Sequence, residues 1–204
     1  MFGSPYVVSN RIIRATGGER IGDVVVPERC VGVGTVCSIT LNGIFLKAGI
    51  PVASRYGGVI EIKDGAPRRF TALISYEGSS LDPLEVFIKS GMTDVAGVMR
   101  AGSGKILASF REIPIVSLEE AEAIGARMVR KGLAGKIIFG KPNQALLDIP
   151  IGVDKVGMIV MGGLNPVAAA EEAGIHTTSM AMSTLFEYSK LMKFNEAVSS
   201  FLYQ

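Results

Sequence analysis

The sequence predicts an α/β chain of the α+β kind, with a mixed or antiparallel sheet and helices packed on it. Three observations carry this: short helix units recurring about every forty residues, apolar runs of strand length between them, and turn dipeptides joining some runs into hairpins. With 204 residues, 48% of them hydrophobic and 20% charged, the chain has the composition of a folded domain rather than of a disordered segment. A fold of this size buries roughly 70% of its unfolded surface.

The first strand is expected at Gly22 to Val26. An uncharged run follows from Cys30 to Leu46, in which three glycines and the polar Thr35, Ser38, Thr40 and Asn42 interrupt the apolar residues. Small residues and hydroxyls of this kind let backbone approach a ligand closely. The first helix unit, L-N-G-I-F-L-K-A-G-I, spans Leu41 to Ile50, and Val52 to Ile62 reads as a strand holding Arg55. Gly57-Gly58 and Asp64-Gly65 are turn signals, with a partner strand at Arg69 to Ser75.

The second unit runs from Ser80 to Met92 and the third from Gly163 to Ile175. In these, Asp82 and Asn165 stand at the cap position, Pro83 and Pro166 at the first helical position, and Gly91 and Gly174 at the left-handed exit. Strands are expected after both, at Val95 to Arg100 and Ile175 to Met182. Between them the G-S-G turn at 102 to 104 opens a strand at Lys105 to Arg111, which puts Arg100 and Arg111 in one hairpin. Ser117 begins a further helix, with S-L-E-E as a capping box and an apolar stripe of Leu118, Ala121, Gly125, Met128 and Val129 ending before Gly132. Strands at Lys136 to Phe139 and Lys155 to Met161 complete the series. Matches at an offset of 125, such as Ala48-Gly49-Ile50 with Ala173-Gly174-Ile175, point to internal helix–strand duplication. The expectation is a single domain over 1–204, built of pseudo-repeats at about 17–115 and 116–190.

Counting excludes several chemistries. Two cysteines and one histidine, His176, cannot supply a four-ligand zinc site, so no metal or cofactor is expected. Cys30 and Cys37 would lie about 10 Å apart on a continuous helix, too far for a disulfide, and a reducing cytoplasmic compartment is the simpler inference. The uncharged run is interrupted by too many polar residues and glycines to read as a membrane span. The formal charge of +2 is spread evenly, with Arg68-Arg69 as the densest basic pair, which argues against autonomous nucleic-acid binding. V-G-V-G-T-V lacks the Lys-Ser/Thr of a phosphate loop and does not complete a dinucleotide fingerprint. Cys37 has no charge nearby in sequence to activate it, and no acid–base residues form a catalytic motif, so no enzyme is expected.

What remains suits a small organic anion. Ser38, Thr40 and Asn42 offer hydrogen bonds, and Arg55, Arg100 and Arg111 offer guanidinium forks for a carboxylate. A small-dicarboxylate enzyme, or a dimerisation module without a ligand, would use the same residue types.

The ordered series V-G-T-V-C-S-I-T-L-N-G-I-F-L-K-A-G-I-P-V-A-S-R-Y-G-G-V-I-E-I, P-R-R-F, S-L-D-P-L-E-V-F-I, G-M-T-D-V and A-S-F-R-E-I-P resembles the regulatory domain of the archaeal NrpR family of nitrogen-responsive transcriptional repressors. The likeness extends from about Gly17 to Tyr188. It implies a sensor of 2-oxoglutarate that modulates repression of nitrogen-assimilation genes, acting as a homodimer. The family's ligand response is centred on the motif around Cys37, which joins the candidate residues on that ground. Many members place a winged helix-turn-helix ahead of such domains. The sequence before Ile12 has no room for one, so DNA contact is expected only through a missing winged-helix domain or a partner repressor.

Overall fold

The structure, a computed structural model, describes residues 1–202. In chain order the elements are β1 (Arg11–Thr16), β2 (Arg20–Ile21), β3 (Val24–Val25), β4 (Val31–Thr35), α1 (Ile39–Lys47), β5 (Ala53–Lys63), β6 (Ala66–Ser75), α2 (Pro83–Lys89), α3 (Val95–Ala101), β7 (Gly104–Pro114), α4 (Leu118–Arg130), β8 (Ile137–Phe139), β9 (Lys155–Met161), α5 (Asn165–Glu172), β10 (Met192–Lys193) and α6 (Phe194–Leu202). Every strand pairing among them is antiparallel, so the α+β expectation holds.

The main sheet has the order β6-β5-β7-β9-β8, which makes β7 its central strand. The β5–β6 turn at Asp64-Gly65 has φ of +53° and +72°, the backbone that a two-residue hairpin requires and that Asp-Gly supplies. A smaller sheet, β10-β1-β4, carries the chain into α1.

Two apolar clusters hold the sheet. One joins Leu41, Phe45 and Ile50 around α1 and Ala121, Ile124 and Met128 of α4 to Ile113, Val156, Met158 and Val160 of the sheet. The other joins α2, α3 and Ala168 of α5 to β5, β7 and β9. Strand alternation puts Arg111, opposite Met158, on the face that α1 covers, and Glu112, opposite Gly157, on the reverse face.

The structure corrects several local expectations. Val95 to Arg100 is helix α3 rather than a strand. Asp94 accepts from the Gly97 amide at 2.8 Å, the Glu172 carboxylate accepts from the amides of Val95 and Ala96 at 2.8 and 2.9 Å, and Gly102 closes the helix at φ +69°. Capping from both ends overrides the β-branched composition. Ile175 to Met182 forms no strand, because the Thr177 amide is taken by the Glu171 carboxylate at 2.7 Å and no strand lies beside it. Gly57-Gly58 is no turn but lies within β5, where a Cβ at Gly58 would fall 2.7 Å from the Ala72 carbonyl oxygen. Ser117 already has helical backbone after a 3-10 turn at Ile115–Ser117 and makes no capping-box bond. Asp82 does cap α2, accepting from the Leu84 amide at 2.9 Å, whereas Asn165 lies inside its helix with its side chain turned into the core. The expected strand Gly22 to Val26 is reduced to β3, and strands β1, β2, β4 and β10 and helix α6 had no counterpart among the sequence expectations.

Candidate functional site

The end of β4 and the first turn of α1 bring the uncharged segment against the middle of the sheet. Ser38 is buried at the entry to α1, and Asn42 follows one turn later on the same face. Both meet Arg111 of β7. Its guanidinium donates through Nη2 to the Ser38 hydroxyl at 2.8 Å, through Nη1 to the Ser38 carbonyl at 3.1 Å and to Asn42 Oδ1, and through Nε to the Ser109 hydroxyl at 3.2 Å. Asn42 Nδ2 then donates to the Ser54 hydroxyl of β5 at 3.1 Å, so one side chain ties α1 to two adjacent strands.

Arg111 is only 2% exposed. Burial pulls its pKa down to about 10, with the neighbouring Tyr76 and Cys37 opposing the change, which still leaves it a cation at neutral pH. Among the described residues no carboxylate lies within ion-pair distance of it. Four of the guanidinium's five N–H groups therefore meet neutral oxygens, and one is left for a further acceptor. A buried charge is ordinarily paired, because neutral dipoles only partly replace its hydration. This arrangement is suited to receiving an anion.

Tyr76 and Gly163 complete the surroundings. The Tyr76 phenol is pushed up to about 12 by burial first and by the charge of Asp82 second, and Arg111 pulls the other way. Its hydroxyl makes no hydrogen bond among the described residues and is reached by solvent. Gly57 makes the space for it, since a Cβ there would fall 2.8 Å from Pro83 Cβ and 3.1 Å from the Tyr76 hydroxyl. At Gly163, where φ is +75°, a Cβ would lie 3.9 Å from the Ser38 hydroxyl.

The sequence candidates separate accordingly. Ser38, Asn42 and Arg111 come together, with the partly buried Cys37 immediately before Ser38 and close enough to influence Arg111. Thr40 is in α1 but exposed. Arg55 occupies the bulge between Ser54 and Tyr56 and pairs with Glu112 at 3.7 Å, on the reverse face from Arg111. Arg100 is exposed near the end of α3, beside the other end of β7, roughly 20 Å away along the strand. Ser54, Tyr76 and Ser109 were missed. Ser54 lies one residue before a candidate and Ser109 two before another; for Tyr76 the sequence held no signal.

These features define a class: an antiparallel α+β domain that closes a helix entry over a buried, unneutralised arginine, with no catalytic acid–base pair at that point. The model of the NrpR regulatory domains NRD1 and 2 matches residues 1–193, and the chain belongs to that family of archaeal global nitrogen regulators. It is 40% identical over 169 residues to the global nitrogen regulator NrpRI of Methanosarcina mazei, covering 83% of this chain and 52% of that protein. It is 33% identical over 180 residues to NrpR of Methanococcus maripaludis, covering 86% of this chain and 32% of that one. The chain thus spans about half the length of one curated relative and about a third of the other. The crystal structure of a nitrogen repressor-like protein from Methanococcus jannaschii superposes with a TM-score of 0.75 at 30% identity, covering 93% of this chain and 76% of that one. The matched relatives are regulators, not enzymes. Among the described residues no helix is long and apolar enough to cross a membrane.

Proposed function

We propose that this chain is the effector-sensing part of a cytoplasmic nitrogen-assimilation repressor, and that its effector, 2-oxoglutarate, binds at Arg111. The observation that carries the reading is a buried guanidinium held by neutral oxygens alone, with one N–H unused. An effector sensed between millimolar and micromolar levels needs about 4 to 8 kcal/mol of binding energy. Two or three charge-assisted hydrogen bonds, at roughly 1.5 to 3 kcal/mol each, supply it. Ser38, Asn42 and Cys37 line the approach, while Arg55, Arg100 and Thr40 serve elsewhere.

The same reading includes a homodimer that reaches DNA through a winged-helix segment or a partner repressor. Effector binding then requires only about 1 to 3 kcal/mol of differential affinity between two arrangements to change repression. Calorimetry of the purified chain with 2-oxoglutarate, glutamate and glutamine tests it. Saturable heat with 2-oxoglutarate alone is expected, and none at millimolar concentration overturns the effector assignment for this domain.

A further inference from the structure

Tyr76 is a polar side chain near Arg111 whose hydroxyl makes no hydrogen bond among the described residues. The oxygens of Ser38, Asn42 and Ser109 all accept from the guanidinium, and Asp82 Oδ1 is taken by the Leu84 amide at 2.9 Å. The Tyr76 hydroxyl has no such partner among the described residues, yet the structure keeps space for it by placing glycine at position 57. Its backbone is fixed where β6 ends, with the Tyr76 amide donating to the Arg55 carbonyl at 3.1 Å. The phenol remains protonated across the physiological range, its pKa pushed up to about 12, and therefore remains a hydrogen-bond donor.

Among the unused donors at this corner are one N–H of Arg111 and the O–H of Tyr76. A carboxylate with a carbonyl on the adjacent carbon presents acceptors for both. We infer that Tyr76 is a specificity-determining residue of the anion site, donating to the 2-oxo group of a 2-oxo acid whose carboxylate lies on Arg111. This rests on the effector site proposed above and adds to it the selection of 2-oxo acids over plain dicarboxylates. A site with a donor placed for one acceptor discriminates against a ligand that lacks that acceptor.

The test is calorimetry of the full chain and its Tyr76→Phe variant, each with 2-oxoglutarate and with glutarate, which has the same carboxylates and no oxo group. The parent is expected to bind 2-oxoglutarate about tenfold more tightly than glutarate, and Tyr76→Phe to erase that preference while leaving glutarate affinity unchanged. Equal weakening of both ligands, or no change for either, overturns the inference while leaving the effector site intact. A parent with no preference between the two ligands overturns it without reference to the variant's folding. A parent that binds neither ligand removes the effector reading, and the Tyr76 assignment with it.

Discussion

Arg111 and Glu112 are neighbours on β7 and carry opposite charges to opposite faces of the sheet, so they do not neutralise one another. Glu112 is satisfied on its own side, by Arg55 at 3.7 Å and by the Gly152 amide at 3.0 Å. Arg111 meets only neutral oxygens on its side. Strand alternation is what keeps a buried cation and a nearly buried carboxylate apart.

Replacing Arg111 with methionine separates its structural role from its ligand role. The flexible apolar side chain fills a similar volume, and exchanging a buried charge for an apolar group is frequently close to neutral. The neutral oxygens of Ser38 and Asn42 lose a donor, so a cost of about 1 to 3 kcal/mol is expected in urea unfolding. Binding of 2-oxoglutarate is expected to disappear from the calorimetric trace of the folded variant.

Arg55→Ala is expected to leave effector affinity within about a factor of two, because its guanidinium faces Glu112 and not the Arg111 cluster. The pair is partly exposed, and its loss is worth about 1 kcal/mol or less. A large drop in affinity on titration would place Arg55 in the site after all.

Asn165→Ala is expected to be among the more damaging single changes. Its side-chain oxygen accepts from the Leu107 amide at 2.7 Å, and its Nδ2 donates to the carbonyls of Tyr6 and Leu107 at 3.0 and 3.1 Å. Removing a fully buried amide leaves backbone groups of β7 and the N-terminal segment unpaired, at about 3 kcal/mol or more. Chemical denaturation measures it.

The Glu171 carboxylate has its pKa lowered to about 2 by hydrogen bonds from Lys89 and from the hydroxyl and amide of Thr177. A carboxylate depressed in the folded state favours that state above its unfolded pKa, near 4.5, and the benefit is lost as pH falls through about 2. The attachment of the segment after α5 is therefore expected to loosen between these values. Hydrogen exchange at Thr177 should accelerate across that window, and Glu171→Gln should show weaker protection already at neutral pH with a smaller change on acidification.

Local chemistry made much of the fold readable in advance. Asp64-Gly65 announced the β5–β6 hairpin, because few other pairs tolerate two left-handed residues, and Asp82-Pro83 announced α2. The α3 segment misled because Val95 and Val98 suggest a strand; Asp94 and Gly102 were its legible boundaries, but Glu172 holds it from 76 residues away. The site was half legible. Polar residues in an uncharged run marked Ser38 and Asn42, whereas their meeting with Arg111 spans 73 and 69 residues and depends on register, which spacing does not encode. Tyr76 was invisible because its place beside Arg111 depends on the room left at Gly57, a property of packing across two elements.

The position of α1 gives the cluster a mechanical meaning. The chain leaves the small sheet at β4 and enters the large one at β5, with this single nine-residue helix as the shorter of the two direct links between them. The Asn42 amide fastens that link to two adjacent strands of the large sheet, to Arg111 of β7 with its oxygen and to Ser54 of β5 with its nitrogen. The proposed effector, seated on Arg111, would therefore lie directly against the short link that joins the two sheets.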